Sequence, residues 1–184
     1  MKALEVLHNR VSVPSLEAPA PEGEVLLNIQ RAALRAADHR LLQPWRFLVI
    51  EGEGLDRLGE LFVQSKTNPN EPMSEAERAS WAAKPHRAPM IIVAIASIHD
   101  DPKVPEVEQL ISTGCAVQNM LNAAHAQGIG AMWRTGDFAY NEVVKTGLGL
   151  AENEQIVGFL YLGTPKGRLK PVPAVSPDQF FTAW

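Results

Sequence analysis

The chain of 184 residues holds a single cysteine, Cys115. An intrachain disulfide is therefore impossible and a thiolate metal cluster is excluded. A reducing, cytoplasmic setting is expected. Runs of basic residues are missing too: 17 Lys and Arg face 21 Asp and Glu, a net charge of −4. Nucleic-acid binding usually demands a concentrated basic face, so no nucleic-acid partner is expected. Long apolar runs are scarce. The quietest helical stretch, 106–128, still carries Glu106, Glu108, Gln109 and Gln118. It reads as a core helix and not as a membrane span. The opening "MKALEVLHNR" has no continuous apolar stretch, so no signal peptide is expected.

Familiar catalytic signatures are absent as well. "GIGAMW" has the first pair of a dinucleotide fingerprint but opens a strand, and "GLGLAE" closes a helix. There is no G-x-S-x-G elbow and no H-E-x-x-H. Asp38-His39 is too local for a metal site, and Asp100-Asp101 lacks a third ligand, so no metal is expected. Cys115 stands mid-helix among small residues and reads as packing.

What remains is an ordinary globular composition, 46% hydrophobic, with clear periodicity. Helical spacing marks 3–7. Pro21, with Glu22 and Glu24, suits the first turn of a helix running to about residue 41. Arg31, Arg35 and His39 would then share one face. Pro44 pushes Gln43 toward extended backbone, and Trp45 opens an apolar strand over 45–51. A helix over 54–64 follows. Ser74 and Glu77 offer a capping box. "MIIVAIAS" (90–97) reads as a buried strand. The 106–128 helix is capped by Gly128. A short strand ends at Arg134, a short helix covers 140–147, and "QIVGFLYLG" (155–163) is a last buried strand. Four apolar strands alternate with helices, so the sheet is covered on both faces. The proline-rich tail ends in "FFTAW", which suits a partner surface better than water.

Several clusters admit both a functional and a bland reading. Arg10 and Ser12, just past the first helix, could hold a phosphate, or could be a solvated helix end where a cation is welcome. Arg35, His39, Gln43 and Trp45 crowd one helix end, as a ligand wall or as a salt-bridged surface beside a core Trp. Trp133, Arg134 and Thr135 close a strand next to Gly136, as a ligand edge or as a core Trp with an exposed Arg. Lys166, Arg168 and Lys170 follow the last strand, as an anion site or as a wet basic loop.

Taken in order, these pieces resemble the FMN-dependent nitroreductase family. The resemblance is carried by an N-terminal helix followed by Arg-x-Ser, by "RAADHRLLQPWRFLVIEGEG", by "STGCAV", by "AQGIGAMWRTG" and by "IVGFLYLGTPKGR". It spans nearly the whole chain and is weakest over 65–88. It implies one α+β domain over 1–184, with a mainly antiparallel central sheet flanked by helices. It also implies a homodimer whose C-terminal arm, 164–184, is exchanged with the partner. FMN would lie between subunits, with NADH or NADPH as reductant and a small electron-poor acceptor, a nitroaromatic or a quinone, served in ping-pong order. Flavin N5 would carry the hydride, so no side chain is expected to be catalytic. By the same resemblance Arg10, Val11 and Ser12 hold the phosphate or ribityl chain, completed by Lys166 and Arg168. Arg35 and His39 reach FMN from the other subunit. Gln43, Pro44 and Trp45 shape the flavin pocket, and Trp133, Arg134 and Thr135 line it. Ala123, Ala124, His125, Ala126, Gln127 and Gly128 fall where the nicotinamide nucleotide sits. Two positions depart from the pattern. Val11 stands where many relatives have Arg, and Pro14 stands where many place a Lys near the flavin. Arg35 or Arg134 is expected to supply that missing charge. A rival reading is an FMN-storing or redox-sensing protein with little turnover.

Overall fold

A computed structural model describes residues 1–68 and 70–184. Helix α1 spans Ala3–Asn9, strand β1 Leu16–Glu17, α2 Gly23–Ala33, β2 Trp45–Glu51 and α3 Glu53–Lys66. Then come α4 Glu75–Ala82, β3 Met90–Ser97, α5 Glu106–Ala126, β4 Gly130–Arg134, α6 Glu142–Gly147 and β5 Glu154–Pro165. All pairings are antiparallel. β3 lies between β2 and β5, β5 also pairs β4, and the end of β5 pairs β1. The α+β expectation is met.

β3 is buried from Met90 to Ala96 because both sheet faces are covered. Its even residues Ile92 and Ala94 meet α2 and α5 through Ile29, Ala33, Val117 and Met120. Its odd residues Ile91, Val93 and Ile95 meet α3 and α6 through Leu55, Leu58, Phe62 and Val144. Each buried aliphatic side chain contributes about 1.5–3 kcal/mol, so this strand is the main anchor of the sheet. The capping box of α4 forms as expected, with the Ser74 hydroxyl bonding Glu77 and the Ser74 N–H donating to its carboxylate at 3.0 Å. Gly128 ends α5 with φ +78°, a conformation in which glycine is unstrained.

Four expectations need correction. Helix α2 begins after Pro21, at Gly23, and stops at Ala33, eight residues early. Arg31, Arg35 and His39 therefore share no helix face. The alanine-rich run has helical propensity, but side chains from α5 seize its carbonyls, as described below. Gln43 is not extended: its φ is +49°, in the left-handed region. The sheet has five strands, because β1 adds to the end of β5. Finally, Cys115 is exposed, not packed. It shares an outer stripe of α5 with Val107 and Ile111, 59% and 60% exposed.

Beyond Pro165 every residue of the arm is exposed, including Phe180, Phe181 and Trp184. A single 3-10 turn at Pro177–Gln179 is its one regular feature among the described residues. No described helix is long and apolar enough to cross a membrane.

Candidate functional site

The β1–β5 ladder, Leu16 opposite Pro165, folds the N-terminal segment onto the chain that leaves the last strand. The Lys166 N–H donates to the Ser15 carbonyl at 3.0 Å, and the Val13 N–H donates to Ala131 of β4 at 2.9 Å. A concavity of about 90 Å³ results, lined by Ser12, Pro14, Lys166, Arg168 and Lys170. Lys166 lies 3.5 Å from Glu17. So Ser12 and the basic residues 166–170, separated by some 150 positions in the sequence, share one corner.

Arg10 enters from the end of α1 with extended backbone, φ −61° and ψ 130°. Three buried side-chain nitrogens lack a hydrogen-bond partner among the described residues: Arg10 Nη1, His125 Nε2 and Arg134 Nε. Leaving such a group unmet costs about 1–3 kcal/mol, more when it is charged, so each calls for a water or a ligand atom as partner. Burial, then the nearby Arg10 charge, holds the His125 imidazole below its ordinary value. Ala123, Ala124 and Gln127 of the 123–128 segment are used for packing. Ala124 is fully buried. The Gln127 amide donates to Val25 and Ala123 carbonyls and accepts from Asn28 at 3.2 Å. Ala126 and Gly128 are its exposed positions.

The segment between α2 and β2 is irregular and strained. Arg40, Leu41 and Gln43 have φ of 62°, 57° and 49°. Such values are unfavourable for residues with a Cβ, by about 1 kcal/mol each. Polar side chains hold the segment in place. The Ser112 hydroxyl donates to Ala37 and the Thr113 hydroxyl to Pro44, both at 2.8 Å. The Gln43 N–H donates to the Asp38 carboxylate at 2.7 Å. His39 Nδ1 pairs with Glu108 at 2.7 Å, and Arg40 with Asp101 at 3.4 Å. Behind it, Arg46 grips Glu154 through two bonds of 2.6 Å, joined by the Ser97 hydroxyl at 2.7 Å and the Ala151 N–H at 3.0 Å. The guanidinium, above all, holds the Glu154 carboxyl down at about 2. Arg35, His39 and Gln43 are exposed while Pro44 is buried.

A third feature opens at the far end of β4. A cleft of about 460 Å³, within the roughly 300–1,000 Å³ common for small-ligand pockets, is lined by Trp81, Lys84, Arg87, Arg134, Thr135 and Phe138, among others. Phe62 stacks on Phe138 at 3.8 Å, and Trp81 meets Phe138 edge-on at 5.8 Å. Lys66 and Lys84 stand 5.4 and 5.1 Å from the Trp81 ring. The Arg134 guanidinium lies 5.5 Å from the Tyr161 ring. Four cations thus border an aromatic cavity with one carboxylate, Asp137, which is bound to Lys66 at 2.9 Å. Burial pushes the Tyr161 phenol up, against the opposing pull of Arg134 and Arg87.

Trp133 does structural work beside this cleft. Its indole donates to Val157 at 3.2 Å and lies so close to Gly158 that a Cβ there would sit 2.1 Å from Nε1. The ring lies between Gly158 of β5 and Gly114 of α5, and so fixes where Arg134 and Thr135 emerge.

One chain brings together Ser12, Lys166 and Arg168, and it brings Arg10 to His125. It does not bring Arg35, His39 and Gln43 to them: the loop is tied to Thr113, and His125 is roughly 18 Å further along α5 at 1.5 Å per residue. Trp81, Lys84, Arg87, Phe138 and Tyr161 were not legible as site residues. Their segments are far apart in sequence, and their shared aromatic and basic character was the one available signal.

Known proteins were compared with this arrangement. The sequence model of the "Nitroreductase family" matches residues 7–164. A protein of Escherichia coli K12 named "Putative NAD(P)H nitroreductase YdjA" is 47% identical over 166 residues, 90% of each chain. A relative with the same name but for YdjA, from Haemophilus influenzae, is 36% identical over 170 residues, 89% of each chain. Among solved structures, a nitroreductase-like family protein of Bacillus cereus superposes with TM-score 0.84 at 24% identity, covering 100% of this chain and 96% of its own. A nitroreductase with bound FMN from Bacteroides fragilis superposes with TM-score 0.73 at 22% identity, covering 100% of both chains. Sequence match and fold agree over nearly the whole length, and the chain belongs to the nitroreductase family.

Proposed function

We propose that this chain is an FMN-dependent NAD(P)H oxidoreductase acting as a homodimer on small electron-poor acceptors such as nitroarenes or quinones. The observation that carries the reading is a pair of unmet cationic nitrogens: Arg134 Nε at the end of β4, and Arg10 Nη1 three residues before Val13, whose N–H bonds Ala131 at the start of β4. The five residues of β4 span about 13 Å at 3.3 Å per step. A cofactor with a phosphate at one end and a flat ring at the other fits such a pair. Arg10, Val11 and Ser12, with Lys166 and Arg168, would hold the phosphate. Arg134 and Thr135, with Lys84 and Arg87, would border the ring. When bound, FMN supplies the two-electron chemistry, passing hydride from NAD(P)H to the acceptor in ping-pong order. The cations around the cleft favour negative charge on what occupies it, and so stand in for the Lys absent at Pro14.

Arg35, His39 and Gln43 belong to the site of the partner in this reading, with Pro44 and Trp45 backing them from the core side. Two features support a dimer. The stripe Val107, Ile111 and Cys115 is exposed beside the strained loop, and the arm 164–184 projects its apolar end into solvent. The exposed Ala126 and Gly128 leave room for a nucleotide near the end of α5.

The deciding experiment adds NADH or NADPH anaerobically to the purified yellow protein and follows flavin absorbance. Prompt bleaching, then recovery with a nitroarene, is expected. Flavin that stays bound and oxidised would instead identify a storage or sensing protein, and a chain that takes up no FMN would remove both readings.

A further inference from the structure

The cleft at the end of β4 holds donors that a neutral ring leaves unanswered. Strand alternation puts Met132 and Arg134 of β4 on the same face as Phe159 and Tyr161 of β5, and all four line the cavity. Arg134 stands opposite Phe159 and Met132 opposite Tyr161. Arg134 therefore meets Tyr161 on the diagonal, its guanidinium 5.5 Å from the ring. Trp81, Lys84 and Arg87 follow at intervals of three, from the end of α4 through the 3-10 turn Pro85–Arg87, and line the same cavity. The charges do not cancel. Asp137 is taken by Lys66 at 2.9 Å, and no carboxylate of the described residues pairs with Lys84, Arg87 or Arg134. Arg134 Nε is unmet. Tyr161 is 5% exposed, both arginines bear on its phenol, and no group among the described residues bonds its hydroxyl. The phosphate of FMN, placed above at the corner of Ser12 and Arg168, is not the answering charge. A carboxylate is: it suits the planar fork of Arg and accepts from a phenol as well.

We propose that this cleft selects an acceptor with a carboxylate on its aromatic ring, the carboxylate held by Arg87, Arg134 and the Tyr161 hydroxyl and the ring set against Trp81 and Phe138. This deepens the reading of the chain as an FMN-dependent reductase and rests on it for the reaction. A nitro group on such a ring takes the hydride equivalent of NAD(P)H and one proton from solvent, becomes nitroso and releases water. Trp81 and Phe138 already meet edge-on at 5.8 Å, and a third flat ring extends that contact.

Benzoate and benzamide, which accept no electrons here, test the cleft. Each is titrated into the full-length chain with and without FMN and followed by ligand-observed NMR. Benzoate should bind about ten-fold more tightly than benzamide in both forms. Arg87→Gln, at an exposed position, should bring the two affinities together. Arg57→Gln removes the same charge outside the cleft and should leave the preference as it was. Turnover should follow binding. 4-Nitrobenzoate should exceed 4-nitrobenzamide in kcat/KM, although the amide withdraws electrons more strongly and is the easier of the two to reduce. Arg87→Gln should reverse that order. Equal binding of benzoate and benzamide, or a preference that survives Arg87→Gln, overturns the proposal and leaves the FMN reading standing. Displacement of benzoate by FMN also overturns it, because the cations would then serve the cofactor. Preferential binding of benzoate by a chain that takes up no FMN would sink the FMN reading alone.

Discussion

The loop 34–44 and the arm 166–184 are alike in being irregular and, but for Pro44 and a few half-buried loop residues, exposed. They differ in what specifies them. The loop is held from within its own chain, by Ser112, Thr113, Glu108 and Asp38, tightly enough to keep three residues at positive φ. Among the described residues the arm has one backbone bond to the body, at Lys166, and beyond it presents Phe180, Phe181 and Trp184 to solvent. The contrast separates a surface prepared in advance from one that waits for another molecule. In the dimer proposed above, the first presents its groups and the second embraces.

The sharpest way to break this contrast is to remove the arm. A chain ending at Gly167 should keep its far-UV circular dichroism yet run as a monomer in light scattering, and a dimer that persists would show that the arm is not the embrace. Next comes the rear anchor of the loop. Glu154→Gln leaves Arg46 without its carboxylate and should cost on the order of 3 kcal/mol in urea unfolding. Acid should mimic it. The Glu154 carboxyl lies at about 2 in the folded chain against an ordinary 4.5. Its stabilisation is therefore complete above about pH 4.5 and is lost as pH falls through about 2, a slope Glu154→Gln should flatten. Thr113→Val removes the hydroxyl from the buried Pro44 carbonyl. It should cost about 1–2 kcal/mol and speed hydrogen exchange from Gln43 to Trp45 more than in β3. The smallest effect has the opposite sign. Leu41→Gly relieves a positive φ at an 82% exposed position and should gain up to about 1 kcal/mol.

The sheet was legible because its signals are local. "MIIVAIAS" announces a strand buried on both faces, and the structure buries it residue by residue up to Ser97. Ser12, Lys166 and Arg168 stood out beside the ends of elements, and the structure gathers them in one corner, but their assignment to a phosphate came from the family resemblance and not from local signals. The loop was not legible. "LRAADHRLL" prefers helix locally, and the decision lies with hydroxyls some 75 residues away in sequence at Ser112. Cys115 was misplaced for a related reason. Small neighbours suggested packing, while the exposed stripe it shares with Val107 and Ile111 follows from which side of α5 meets the sheet. The aromatic cleft is the extreme case, because α4, β4 and β5 must all be in place before Trp81, Arg134 and Tyr161 become neighbours.

The four cations around that cleft have a consequence at long range. They form an island of positive potential on a molecule whose net charge is −4. Walls of low dielectric focus such a field outward, so an anion is drawn in before it makes contact, while the rest of the surface turns it away. Screening shortens that reach to about 8 Å at physiological ionic strength. The encounter rate of a charged ligand should therefore fall steeply with added salt, and that of a neutral one should not.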